Sequence, residues 1–314
     1  MKKFIKSLFY FTPFSILIYF MLVFFWAEFS PKIISSNMNS KDAYKNPGSL
    51  YFKINDLKNY NNIDVLFLGS SHSNRGFDTR RFEKLGLKVF NLGSSAQTPI
   101  QTNILVKRHI KYLNPKLILY EVYPGTFESD GVESSIDLLI NDKSDLNSLK
   151  MAFNINSVST YNALIYSTIK NNINTNDFYE QNYQQGRDTY ITGGFVEKEI
   201  SYLQKKNYDK KQVIIKEKQL RSFKNTLTLL KNKGIEVILV FAPITSSLYN
   251  SYTNNKIFDN IMNNSGRYIN YNVISKLNDS IHFYDSHHLN QKGVEKFNNG
   301  LIGVLNDEFT NIID

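Results

Sequence analysis

The sequence predicts an α/β protein: a three-layer, doubly wound parallel sheet with an N-terminal transmembrane helix and a helical insertion. Three observations carry this. Unbroken apolar runs recur along the chain, amphipathic helical stretches alternate with them, and residues 7–27 contain no charged side chain. A strand buried on both faces reads as a continuous apolar run, not as an alternation. Strands alternating with helices build βαβ units and a parallel sheet.

Each element follows in chain order. Residues 1–28 read as a membrane anchor. Lys2, Lys3 and Lys6 precede SLFYFTPFSILIYFMLVFFWA, long enough as a helix to cover roughly 30 Å of hydrocarbon. The run exceeds an ordinary signal-peptide core, and no small-x-small cleavage site follows Trp26, so the segment is expected to stay attached. A short basic N-terminus before one apolar run places the N-terminus inside and the bulk of the chain outside the cytoplasm. Residues 29–60, polar and Asn/Ser-rich with Pro31, Pro47 and Gly48, read as a stalk. The α/β domain occupies 61–314. Its strands are expected in DVLFLG (64–69), KVFNLG (88–93), KLILYEVYP (116–124) and EVILVFAPI (236–244). Helices are expected over 102–113, over 213–233 with Gly234 as the stop, and over 291–305. Residues 128–205 offer no recognisable buried strand. They read as an insertion of helical pieces, 136–140 and 146–169, followed by a Tyr-, Gln- and Gly-rich stretch, placed over the carboxyl edge as a lid or packing subdomain.

Composition narrows the chemistry. Of 314 residues, 42% are hydrophobic and 21% charged, which supplies a core and excludes wholesale disorder. The absence of cysteine excludes a disulfide scaffold, a thiolate metal site and a cysteine nucleophile. The 37 Lys and Arg against 28 Asp and Glu leave +9, in no run longer than a pair. That is a solvated basic surface suited to anionic envelope polymers, and nucleic acid is not an expected partner.

Five histidines limit any imidazole-based mechanism. His109 sits among Lys107, Arg108 and Lys111 and reads as a surface residue. The other four fall in GSSHS (69–73) and IHFYDSHHLN (281–290). GSSHS begins where the first strand ends, so a serine there stands at the carboxyl edge of the sheet near helix N–H groups. Asp285 and His288 are three apart, and the carboxylate can reach a ring nitrogen of the histidine on one short turn. A metal held by His282, Asp285, His287 and His288 is the competing reading, without the HExxH helix or other fixed ligand spacing.

The order of GSS after the first strand, NLG one strand later and DSHHLNQKG near the C-terminus resembles the SGNH/GDSL hydrolase superfamily. Within it the chain looks most like the membrane-anchored envelope acyl-transfer proteins of teichoic acid D-alanylation and alginate O-acetylation. The resemblance covers about 63–124 and 213–305, and DxxHLNxxG is its most specific piece. It implies Ser71 as nucleophile, with Ser70 where the family's motif has aspartate. It implies His288 as general base, Asp285 as its orienter, and the Gly93 N–H joining that of Ser71 in an oxyanion hole. The family's third-block asparagine has no counterpart in EVYPGTFE, so Tyr123 or Arg75 is expected to replace it. His72 reads as a turn residue or substrate contact, His287 as structural or exposed, and Asn290 and Gly293 as helix-start residues.

The implied activity is that of a serine O-acyltransferase or acyl esterase on cell-envelope polysaccharide, with no cofactor, no metal and a multi-pass membrane acyltransferase as partner. A non-catalytic scaffold or glycan-binding subunit on the same fold is the alternative. Nucleotide binding is disfavoured, since neither a GxGxxG nor a Walker lysine follows the first strand.

Overall fold

The computed structural model describes residues 1–29, 49–173, 183–204 and 206–313. Its strands are β1 (Val65–Leu68), β2 (Val89–Asn91), β3 (Leu117–Glu121), β4 (Gln184–Gln185), β5 (Asp188–Ile191), β6 (Phe195–Lys198), β7 (Glu236–Phe241) and β8 (Arg267–Asn270). The helices named below are α1 (Lys2–Phe29), α2 (Ser49–Asp56), α3 (Ser71–Gly76), α4 (Pro99–Leu113), α5 (Leu146–Ile155), α6 (Val158–Ile173), α7 (Glu217–Lys231) and α8 (Gln291–Val304). The chain forms two compact units.

The larger unit is built on a five-stranded sheet of order β2-β1-β3-β7-β8, parallel throughout. The four expected apolar runs are its first four strands. Alternate residues face opposite sides. Val65, Phe67, Leu119 and Val240 pack with Phe77, Phe82, Phe297 and Leu301 on one side, and on the other the Tyr120 ring meets that of Phe223 on α7 at 5.5 Å and 54°. Helices therefore cover both faces. Expected helix 102–113 begins earlier, at Pro99, under a Thr98–Gln101 capping box. Expected helix 213–233 is shorter, Glu217–Lys231, and expected helix 291–305 runs Gln291–Val304.

Two corrections concern the stalk and the insertion. The described end of the supposed stalk, 49–59, is helical, with Leu50, Phe52 and Leu57 buried. It belongs to the larger unit; the rest, 30–48, lies outside the described residues. The segment read as one insertion divides between the two units. Its part from 183 holds the antiparallel sheet β4-β5-β6, which the sequence reading did not expect. Phe195 of β6 is fully buried in the main core. Lys53 of α2, also fully buried, donates to the carbonyls of Asn91 and Gly194 and pins this sheet to the end of β2.

The smaller unit joins α1 to α5 and α6. Helix α1 is the one described helix long and apolar enough to cross a membrane, and it continues through Pro13. Val23 and Ala27 are buried; Tyr19 Oη donates to Asn162 Oδ1 at 2.5 Å, and Phe24 lies 6.0 Å from the ring of Tyr166. The expected helix 146–169 is two helices, because Asn156 adopts a left-handed conformation at φ +55° and ends α5.

Candidate functional site

The site lies where strand order reverses around β1, at the carboxyl ends of β1 and β3, the usual ligand position in a doubly wound sheet. Gly69 makes the exit from β1 at φ +135°. A Cβ there would stand 2.7 Å from the Cβ of Glu121 and 2.9 Å from its carbonyl oxygen. Gly69→Ala is therefore expected to cost about 3 kcal/mol from backbone conformation and overlap together, read as a lowered unfolding temperature. Retention of wild-type stability would contradict the turn described.

Ser70 caps α3 by accepting the His72 N–H, and Ser71 is the first helical residue. Its hydroxyl therefore stands at the sheet edge, and its N–H is one of the helix's unpaired first donors. On the far side, residues 283–289 form a short loop closed by pairing of Phe283 with Leu289. Asp285 Oδ1 accepts the N–H groups of His287 (2.9 Å) and His288 (2.8 Å). The same carboxylate's Oδ2 lies 2.8 Å from His288 Nδ1, and His288 Nε2 lies 2.7 Å from Ser71 Oγ. Hydroxyl, imidazole and carboxylate thus stand in series. Burial would raise the Asp285 carboxyl, but the hydrogen bond and charge of His288, with the His287 N–H, hold it down at about 2. It stays ionised and keeps the His288 proton on Nδ1, leaving Nε2 to accept from Ser71. Tyr284 stacks on the His288 ring at 5.4 Å and 7°. Asn290 caps α8 by accepting the Gly293 N–H, and a Cβ on Gly293 would run into the His282 carbonyl; both are the helix-start residues the sequence predicted.

The three expected oxyanion groups are placed differently from their expected roles. The Gly93 N–H already donates to Asn91 Oδ1 at 3.0 Å, so Gly93 serves by lacking a Cβ, which would approach Ser73 Cβ within 2.7 Å. The Tyr123 hydroxyl shares a hydrogen bond with the Tyr252 hydroxyl at 2.7 Å, and its ring lies against His72 at 4.3 Å. Arg75 lines the same small pocket as Ser71, His72, His287 and His288, but its guanidinium makes a two-pronged bond to Asp188 on β5 at 2.6 and 2.7 Å. The Ser71 N–H stands at the first helical position, where it has no acceptor within the helix.

Sequence reasoning missed a second hydrogen-bonded chain beside the first. Glu121, at the end of β3 where an asparagine was sought, accepts the N–H and the Oγ–H of Ser70, both at 2.8 Å. Ser70 Oγ in turn meets His72 Nδ1 at 3.0 Å, and His72 Nε2 meets His287 Nδ1 at 3.2 Å. One charged residue closing an otherwise apolar strand was the available signal. His282 stands apart, bonded to Asn278, so it does not join the metal set considered from sequence.

Burial pushes the Glu121 carboxyl from its ordinary 4.5 up to about 7, against the two bonds from Ser70. A raised carboxyl favours folding while protonated: its contribution is complete below the unfolded value and lost as pH rises through the folded one. Glu121→Gln keeps an acceptor for Ser70 and removes the titration. The wild-type minus variant difference in unfolding free energy is expected to fall by about 3 kcal/mol between pH 4.5 and 8; urea titrations in detergent micelles measure it. A pH-independent difference would contradict the assignment.

No protein-family model and no curated protein matches the chain. Among solved structures it is similar to a candidate acylhydrolase of Bacteroides fragilis NCTC 9343, at 11% identity and TM-score 0.42, over 82% of this chain and 95% of that one. A GDSL-like lipase of Bacteroides thetaiotaomicron VPI-5482 is similar at the same identity, TM-score and share of this chain, over 98% of its own length.

Proposed function

We propose that the chain is a membrane-anchored, extracytoplasmic SGNH-type serine enzyme that transfers acyl groups onto cell-envelope polysaccharide. The observation that carries the reading is the Ser71–His288–Asp285 series at the carboxyl end of β1, supported by the apolar helix α1 and the DSHHLNQKG loop. Ser71 Oγ attacks the acyl carbonyl carbon while its proton passes to His288 Nε2. The tetrahedral intermediate places its oxyanion at the Ser71 N–H. Collapse expels the donor alcohol, which takes the proton from His288, and leaves the acyl group esterified to Ser71. A sugar hydroxyl then gives its proton to His288 and attacks the acyl-serine; a new ester forms and Ser71 is restored. Water in place of the sugar gives hydrolysis by the same steps. A multi-pass membrane acyltransferase is the partner that would supply the acyl group.

One observation favours the alternative of a non-catalytic glycan-binding subunit: Gly93, Tyr123 and Arg75 all have other hydrogen-bond partners. A single assay separates the two. Full-length protein in detergent micelles is given an activated acetyl ester with and without an envelope glycan. Acetylated glycan supports transfer, free acetate alone supports an esterase, and no turnover by folded protein supports the binding subunit.

A further inference from the structure

The serine mechanism leaves two adjacent imidazoles without a task. His72 is 5% exposed and His287 only partly exposed, and both face the same point as His288. We propose that His72 Nε2, His287 Nδ1 and His288 Nε2 form a site for a divalent first-row cation, Zn²⁺ foremost, and that its occupation draws His288 away from Ser71 and silences the serine.

His72, His287 and His288 can each offer one ring nitrogen within 4.8 Å of those of the other two. Tetrahedral zinc with Zn–N bonds of about 2.0 Å places ligand atoms about 3.3 Å apart. The His72–His287 separation is already 3.2 Å, and binding closes the wider ones toward that value. All three residues line one small pocket with Ser71.

The outer groups present the lone pairs inward. Ser70 donates its one hydroxyl proton to Glu121, so it accepts from His72 Nδ1–H, and His72 Nε2 is left bare. Asp285 holds the proton of His288 on Nδ1, and His288 Nε2 is likewise bare. These are the carboxylate–histidine arrangements, one direct and one through a hydroxyl, that orient metal-bound imidazoles. His287 donates Nδ1–H to His72 without metal; it binds by moving that proton to its own Nε2, with no change of charge. The Asp285 carboxylate offsets the added charge, and Arg75 is already paired with Asp188. Tyr123 stacks parallel to His287, 3° apart in plane, and limits the rings' reorientation.

Metal binding does not depend on the serine mechanism; the silencing does. The test uses full-length protein in detergent micelles, titrated with Zn²⁺ by calorimetry and with Co²⁺ by visible absorption. Wild type and Ser71→Ala are each expected to bind one ion per chain, Ser71→Ala the more tightly because no hydroxyl competes for His288 Nε2. His287→Gln is expected to lose at least about 100-fold, the upper end of what a missing outer partner alone costs. In parallel, acyl-serine formation is followed as the fraction of each variant's own metal-free rate: Zn²⁺ should suppress it in wild type, chelator should restore it, and His287→Gln should resist. No binding at millimolar Zn²⁺, or equal binding by wild type and His287→Gln, overturns the site. Binding that leaves acyl-serine formation untouched overturns the silencing. Absence of acyl-serine even without metal overturns the serine reading alone, and the calorimetry still decides the metal site.

Discussion

Ser71→Ala is expected to lower ester turnover by roughly 10⁴-fold or more, the scale on which a triad nucleophile acts. The substitution removes one hydroxyl, which lies 2.7 Å from His288 Nε2. It leaves the surroundings intact: Ser70 still caps α3, Asp285 still holds His288, and alanine suits a first helical position. Stability is therefore expected to stay within about 0.5 kcal/mol of wild type, so a lost rate reports chemistry. Steady-state hydrolysis of an activated ester measures it. A variant retaining activity within about tenfold, one RT ln 10 of barrier, would show that another group attacks.

Asp285→Asn is expected to lower kcat by about 10⁴ with little change in KM. The reason is specific to this loop. Oδ1 accepts two backbone N–H groups, from His287 and His288, so an asparagine must keep its carbonyl oxygen there and turn its amide NH₂ toward His288 Nδ1. An NH₂ facing Nδ1 requires that nitrogen to be bare, which moves the imidazole proton to Nε2, the atom that must accept from Ser71. The wrong tautomer is fixed by the fold of the loop. Unchanged kcat would mean that the carboxylate only closes the turn. A parallel rise in KM would point instead to a disordered loop.

The strands were legible because parallel strands buried on both faces cannot hide their composition: VLFL is wholly apolar, and VFN, LILYE and EVILVF each end or begin with one polar or charged residue. Edge strand β8, RYIN, was not, since only Ile269 of its four residues is buried. The β4-β5-β6 sheet was missed for a related reason. Its strands are two to four residues long, too short for a period, and the Gly186 and Gly193–Gly194 turns between them were the sole signal. Ser71, His288 and Asp285 could be picked from sequence because each stands in a short motif whose spacing constrains it. Glu121, Ser70 and His72 could not be joined that way: 51 residues separate Glu121 from Ser70, and only the neighbouring register of β1 and β3 brings them together. Oxyanion donors fared worst. The Gly93 N–H is taken by Asn91 two residues before it, a local turn that the NLG motif carried unread, and the Tyr123 partner, Tyr252, lies 129 residues away and is brought in only by packing.

The central claim is that Ser71 carries the acyl group. Its most direct test is intact-protein mass spectrometry of the full-length chain in detergent micelles after brief exposure to an activated acetyl ester, followed by peptide mapping. The account predicts one acetyl adduct per chain, located on Ser71, absent from Ser71→Ala and discharged over time by an added hydroxyl acceptor. An adduct that persists in Ser71→Ala, or folded wild-type protein that never acquires one from several ester donors, would contradict it.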